Sequence, residues 1–213
     1  FDLDLSLISQ LFQNNDTSQQ HLVASERSRS RLICGVGLCL MTLGRLAESV
    51  VFHEQSYRMD LDKKDYANAS VAIRNLCIVQ LQLGNLVKGE EAACLSLNWS
   101  RQIVSAYDED YEYYSLVCLA YTAFLKGENE KAKELFGHAY QLACKLFVYN
   151  HGWFSILGIY YAEFLIHTGG KILAEKVTYE NLDISQRGGY IADIVRCYHL
   201  LAEFCLERGD CSQ

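Results

Sequence analysis

Small residues flank a series of glycines at a fixed spacing, and no other feature of the chain restricts its fold as strongly. Between Val71 and Ser96 the sequence reads as two helices joined at Gly84-Asn85, with Cys77 seven residues before the turn glycine and Gly89 five after it. The arrangement recurs as Gly37 and Ser49 around Gly44, Ala120 and Ala132 around Gly127, and Ala162 and Ala174 around Gly169. Its first half recurs as Ala202 before Gly209, and each complete pair is twelve residues apart. Where two antiparallel helices joined by a tight turn cross closely, the residues at the crossing face each other, and small side chains let the backbones approach. The turn glycines follow one another at intervals of 40, 43, 42 and 40 residues, so the chain is expected to be a stack of helical hairpins. Arrays of this kind present long grooves and seldom carry chemistry, so the function is sought on a surface.

Composition supports near-continuous helix. The 213 residues contain no proline, which helix interiors exclude, and half of them are apolar. A chain of this size can bury roughly 70% of its unfolded surface in a continuous core. No apolar run reaches the roughly 18 residues of a membrane span, and no basic leader precedes an apolar segment with a small-residue cleavage site, so a soluble, cytoplasmic protein is expected. The nine cysteines lie singly on apolar helical faces without any Cys-x-x-Cys, a pattern that reads as buried free thiols and not as disulfides or structural zinc. The formal charge of −7 would repel a nucleic-acid backbone, and the one basic cluster, Arg27, Arg29 and Arg31, reads as a solvated helix face.

Residues 1–28 precede the first complete hairpin, and 29–213 form the repeat array of about four and a half hairpins. In the first segment Leu3, Leu7, Ile8, Leu11 and Phe12 recur at helical intervals, giving one amphipathic helix that ends near Asn14 and acts as a cap or half-hairpin. The first hairpin pairs a helix ending near Leu43 with one from Arg45 to about Asp60; the second runs from Tyr66 to Leu83 and from Asn85 to about Ala106. The third begins after Asp108-Glu109-Asp110, turns at Lys126-Gly127-Glu128 and continues to about Phe147. The fourth spans Trp153 to His167 and Lys171 to about Gln186, and a ninth full-length helix runs from Tyr190 to Arg208. A first residue that is not methionine, and a last helix with no partner after Gly209-Asp210, suggest part of a longer array.

This pattern resembles the tetratricopeptide repeat, with Asn75-Leu76-Cys77, Leu83-Gly84-Asn85 and Ala92-Ala93 as the nearest match and residues 30 to 209 as its extent. The repeat here is about 42 residues against the family's usual 34, similar to the longer-helix arrays of kinesin light chains and of the bacterial maltose regulator, and to those attached to bacterial signal-transducing NTPases or caspase-like peptidases. The family's terminal proline is absent throughout, and its second-helix aromatic survives only as Phe136. HEAT repeats have a similar length but usually kink at proline, which this chain lacks. The resemblance implies an all-α, right-handed superhelix of stacked antiparallel hairpins, a TPR-like α-solenoid.

No catalytic pattern is legible. Gly35-Val36-Gly37 falls inside a helix without the third glycine and preceding strand of a phosphate cradle, and reads as close packing. His21, His53, His138, His151, His167 and His199 form no His-Glu-x-x-His pair and no Cys-His dyad on one helix, and are expected to be exposed or hydrogen-bonded. Asp108-Glu109-Asp110 is expected in an inter-helix loop, complementing the dipole of the helix that follows.

In the family the first helix of each hairpin lines the concave face. Carrying its groove positions over by the turn glycines gives Arg31, Cys34 and Leu38 in the first hairpin, then Val71, Arg74, Ile78 and Gln82. The third hairpin contributes Tyr114, Val117, Tyr121 and Phe124, the fourth Ile156, Ile159, Glu163 and His167, and the last helix Arg196, His199 and Glu203. The partner-binding set is expected to centre on Arg74, Ile78, Tyr114, Val117, Tyr121, Phe124, Ile159, Glu163, His199 and Glu203. Arg74 and Arg196 are too far apart in the array for the two-cation carboxylate clamp of chaperone-binding members, so a C-terminal carboxylate ligand is not expected.

The leading expectation is a non-enzymatic, protein- or peptide-binding scaffold or sensor module of a larger cytoplasmic regulatory protein, with no cofactor, metal, nucleic acid or membrane partner. The alternative is the trigger-sensing or inhibitor-holding region of an enzyme whose NTPase or caspase-like peptidase domain lies outside these residues.

Overall fold

A computed structural model of the chain describes residues 2–17, 22, 25–103, 108–146 and 155–208. The described residues form helices α1 (Asp2–Ser9), α2 (Glu26–Thr42), α3 (Leu46–Asp62), α4 (Tyr66–Gln82), α5 (Leu86–Ser100), α6 (Asp108–Leu125), α7 (Asn129–Leu146), α8 (Ser155–His167), α9 (Lys171–Gly188) and α10 (Ile191–Arg208). No strand occurs among them. Pairs α2–α3, α4–α5, α6–α7 and α8–α9 are antiparallel hairpins packed in chain order, and α10 packs on α8 and α9.

The turns share one hydrogen-bond pattern. At Gly84 (φ +75°) the Asn85 amide donates to the Gln80 carbonyl at 2.8 Å and the Gly84 amide to Leu81 at 3.0 Å, which is the Schellman closure of a helix C-terminus. The same pair of bonds closes α2, α6 and α8 at Gly44, Gly127 and Gly169. It also closes α3 at Lys64, whose φ of +58° is unusual for a residue with a side chain. Asp65 then caps α4, accepting from the Asn68 amide at 3.2 Å.

The small-residue pairs do mark the crossings. Ser49, Cys77, Ala120, Ala132, Ala162 and Ala174 are all fully buried. At Gly89 the crossing is close enough that a Cβ would sit 2.6 Å from Leu81 Cδ2 and push that side chain aside. A second rung lies two turns further from Gly44, Gly84 and Gly169: Ser56 Oγ donates to the Ser30 carbonyl at 3.1 Å, Ser96 Oγ to Ser70 at 3.0 Å, and Asn181 Nδ2 to Ser155 at 3.0 Å. Each of these pairs is 26 residues apart, and each satisfies polar groups that helix packing has taken from water.

One core runs through the hairpins from Ile73 to Phe204. Trp99 ties the first two hairpins together, stacking on Tyr66 at 5.3 Å and donating its indole N–H to the Tyr57 hydroxyl at 3.1 Å. A satellite cluster of Phe12, Val36 and Leu40 forms where α1 packs on α2.

Several expectations are corrected. The N-terminal helix ends at Ser9 and gives way to a 3-10 turn at Gln13–Asn15, with Asn14 and Asn15 at positive φ; Phe12 is buried through that turn, while Leu11 is exposed. Helix α5 stops at Ser100, where the Arg101 and Gln102 amides turn back on Leu97 and Trp99. The acidic run beginning at Asp108 lies in the first turn of α6 and not in a loop. Cys94 and Cys144 are exposed, in contrast to the buried Cys39, Cys77, Cys118 and Cys197. Trp153, His21, His151 and Cys211 lie outside the described residues.

Candidate functional site

Consecutive first helices touch one another, α2 on α4, α4 on α6, α6 on α8 and α8 on α10, whereas second helices do not stack in this way. The array therefore curves with α2, α4, α6, α8 and α10 on its inner side. Inner positions from separate hairpins then converge on two cavities.

A cavity of about 330 Å³ is bounded by Leu38 and Met41 of α2, Ile78 and Gln82 of α4, Ile156 of α8, and Arg196 of α10. A second, of about 280 Å³, shares Gln82, Ile156 and Arg196 and adds Tyr121, Ile159 and Glu163. Five inner helices, α2, α4, α6, α8 and α10, thus contribute to one wall despite lying up to four hairpins apart in sequence.

The polar groups of this wall are held in place. Tyr121 stacks on Tyr160 with ring centroids 3.7 Å apart and donates its hydroxyl to Glu163 Oε2. Burial raises the Glu163 carboxyl above its ordinary range, an effect the Tyr121 bond opposes and the Glu203 charge reinforces. Tyr121 is itself raised, by burial first and then by the charge of Glu163. Arg196 donates to Asp193 Oδ1 at 3.3 Å, and Ser155 donates to Asp193 Oδ2 at 2.6 Å. Glu163, Gln82 and Arg196 line the cavity as acceptor, amide and donor, a set that can pair with peptide N–H and C=O groups beside apolar pockets.

The ten residues expected to carry binding fall into three groups. Tyr121, Glu163, Ile78 and Ile159 line the cavities, although the two isoleucines are 5% and 2% exposed and present only an edge. Val117 is fully buried between helices and offers no side-chain surface, because the longer helices of this array turn that position into the core. The remaining five are on the inner helices but outside the cavities. The Arg74 guanidinium lies 4.8 Å over the Tyr114 ring, Phe124 packs edge-on against Phe164 at 5.6 Å, and exposed His199 pairs with Glu203 at 3.5 Å. Gln82, Leu38, Ile156 and Arg196 had the right register for the wall. Met41, Thr42, Asp193 and Tyr190 were not foreseen, since α2 and α10 meet across the cavity only in the folded chain.

A larger cavity of about 530 Å³ lies between α7 and α8, beside Phe136, Gly137, Tyr161 and Phe164, on a different wall of the array. The aromatic Phe136 bridges the two helices there, with Tyr161 at 5.2 Å and Phe164 at 4.8 Å.

One cysteine–histidine pair forms between helices, Cys34 Sγ lying 3.9 Å from His53 Nδ1. His53 is fully buried, hydrogen-bonded at Nδ1 to Cys34 but with Nε2 unpartnered, and burial lowers it to about 4. Burial raises the Cys34 thiol, so the pair does not have the low-pKa thiolate of an activated nucleophile. The ring fills the space that Gly37 leaves, since a Cβ there would lie 2.8 Å from it. Among the described residues no group of three His, Cys, Asp or Glu side chains could hold a metal ion, and no helix is long and apolar enough to cross a membrane.

No protein-family model matches the chain, and no curated protein matches it. Among solved structures the chain is similar to the nearly identical TPR-like repeats of a protein from Podosopora anserina described as a kinesin light chain, at 13% identity. The match has a TM-score of 0.56 and covers 85% of this chain and 90% of that one. Together with the hairpin order and the Schellman-closed turns, it shows a TPR-like all-α solenoid.

Proposed function

We propose that the chain is a peptide-binding module that takes an extended segment of a partner protein along its inner wall, between α4, α8 and α10. The carrying observation is the convergence of Gln82, Glu163 and Arg196, from three hairpin levels, on adjoining cavities with apolar floors. A strand-like peptide exposes backbone donors and acceptors on alternate sides, and this wall offers partners for both. Leu38, Met41 and Ile78 would receive an apolar side chain at one end. The unpaired thiols suit a reducing cytoplasm, and a regulatory role follows if the bound segment bridges hairpins and stiffens the array.

The test is selection from a displayed random-peptide library on the wild-type chain, followed by affinity measurement on variants. Gln82→Ala with Arg196→Ala should weaken enriched peptides at least tenfold while leaving the helical circular-dichroism signal unchanged. Lys176→Ala with Asp183→Ala, on exposed positions of α9, should leave them unaffected. Equal affinity for the inner-wall variant, or no enrichment over a scrambled library, removes the proposal.

A further inference from the structure

The third and fourth hairpins meet differently from the others. Helices α3 and α5 each pack along the first helix of the next hairpin, α4 and α6. Among the described residues α7 and α8 show no comparable packing, although α6 and α8 stay in contact on the inner side. The junction is therefore wedge-shaped, and its open side holds the cavity of about 530 Å³. The base of this wedge is aromatic: Phe136 and Phe164 are 1% and 4% exposed, and Tyr161 packs beside Phe136. Exposed Asn129, Glu130, Lys133 and Thr168 surround its mouth.

Two features of the wedge have no role in the fold itself. Gly137, in the middle of α7, lines the cavity, and a Cβ there would meet nothing within 4 Å. Glycine inside a helix destabilises it relative to alanine, and here neither packing nor a left-handed φ requires it. Its missing side chain leaves bare helix backbone at the cavity wall. The second feature is charge. At the neighbouring turn Lys126 and Lys131 are neutralised by Glu90 and Glu128 in one network. Glu130 and Lys133, on the same helix as Lys131, join no ion pair among the described residues. With Gly137 they follow at i, i+3 and i+7, forming one stripe of α7 along the cavity.

We propose that the wedge is a binding site for a free aromatic α-amino acid. The ring enters between Tyr161 and the Gly137 backbone and meets the Phe136 and Phe164 rings beneath, since aromatic groups favour offset and edge-on contacts with one another. The α-ammonium group is held by Glu130 and the α-carboxylate by Lys133, whose positions on the helix are about 5–6 Å apart at Cβ. The volume falls within the roughly 300–1,000 Å³ of small-molecule pockets. An aliphatic amino acid forgoes the ring contacts, and an aromatic side chain within a peptide forgoes both charges. The site is separate from the inner wall and does not depend on peptide binding there.

Isothermal titration calorimetry of the full chain with L-tryptophan tests this. The expected result is saturable one-to-one binding with a dissociation constant below about 1 mM. L-leucine, and N-acetyl-L-tryptophanamide with neither charge, should each bind at least tenfold more weakly. Gly137→Leu, which fills the wedge from the helix side, should abolish binding without lowering the melting temperature. Glu130→Gln with Lys133→Gln should weaken binding at least tenfold with unchanged circular dichroism. Gln82→Ala with Arg196→Ala, on the inner wall, should leave it unchanged. The proposal is overturned by an absence of saturation at ten times that concentration, or by equal affinity for leucine or the capped amide. Wild-type binding by the Gly137→Leu or charge variants, or its loss in the inner-wall variant, would overturn it as well.

Discussion

The Ser49 hydroxyl donates to the Gly37 carbonyl at 2.8 Å, so in the first hairpin the two backbones are held together at their crossing by a hydrogen bond as well as by the small size of both residues. Gly37 also admits the buried His53 ring, and Gly35, two residues earlier on the same helix, faces only Ile8 at 3.8 Å. Gly37→Ala should therefore cost about 1–3 kcal/mol by overpacking, whereas Gly35→Ala should be neutral or stabilise by up to about 1 kcal/mol through helix propensity. Urea unfolding of the two variants checks this, and equal effects would contradict the packing described.

The turn glycines have a different cause. A Cβ at Gly84 would meet nothing within 4 Å, so only its φ of +75° resists substitution. Gly84→Ala should cost about 1–2 kcal/mol. Gly137, in the middle of α7 with open space around it, should behave in the opposite sense, with Gly137→Ala raising stability by about 1 kcal/mol. Thermal melts of both variants report the signs.

His53 makes stability depend on pH. Its folded value is lowered to about 4 from an ordinary 6.5, so between these limits the unfolded chain binds a proton that the native one does not. Stability is then full above pH 6.5 and falls as pH drops toward 4, by up to about 3 kcal/mol. Denaturant unfolding across that range should show the loss, and His53→Leu should flatten the slope even if it lowers the absolute stability.

Tyr121→Phe keeps the stacked ring on Tyr160 and removes the donor to Glu163. The lost bond favours the charged carboxylate, so its removal should raise the Glu163 pKa further and cost about 1–2 kcal/mol at pH 7. The cost should shrink where Glu163 is protonated in both proteins. Unfolding at pH 7 and at pH 4 separates this behaviour from a simple packing defect, which would be the same at both.

The glycine-closed turns and the crossings were legible in the sequence because they are local or nearly so, whereas the ends of α1 and α5, which no glycine marks, were not. A left-handed glycine ends a helix through its own φ, and a small residue twelve positions from another reports a contact that a tight turn makes unavoidable. Thus Gly84 with Cys77 and Gly89 specified a hairpin before any coordinates. The inner wall depends on the angle at which each hairpin meets the next, which accumulates over the whole array and leaves no short-range trace. That angle places Leu38 of α2 within reach of Arg196 of α10 and turns Val117 into the core. The sequence by itself determined the hairpins and their order, through backbone conformation and side-chain size. Tertiary structure alone decided which inner side chains share a cavity, because the curvature that brings them together is a sum of many small inter-helix rotations.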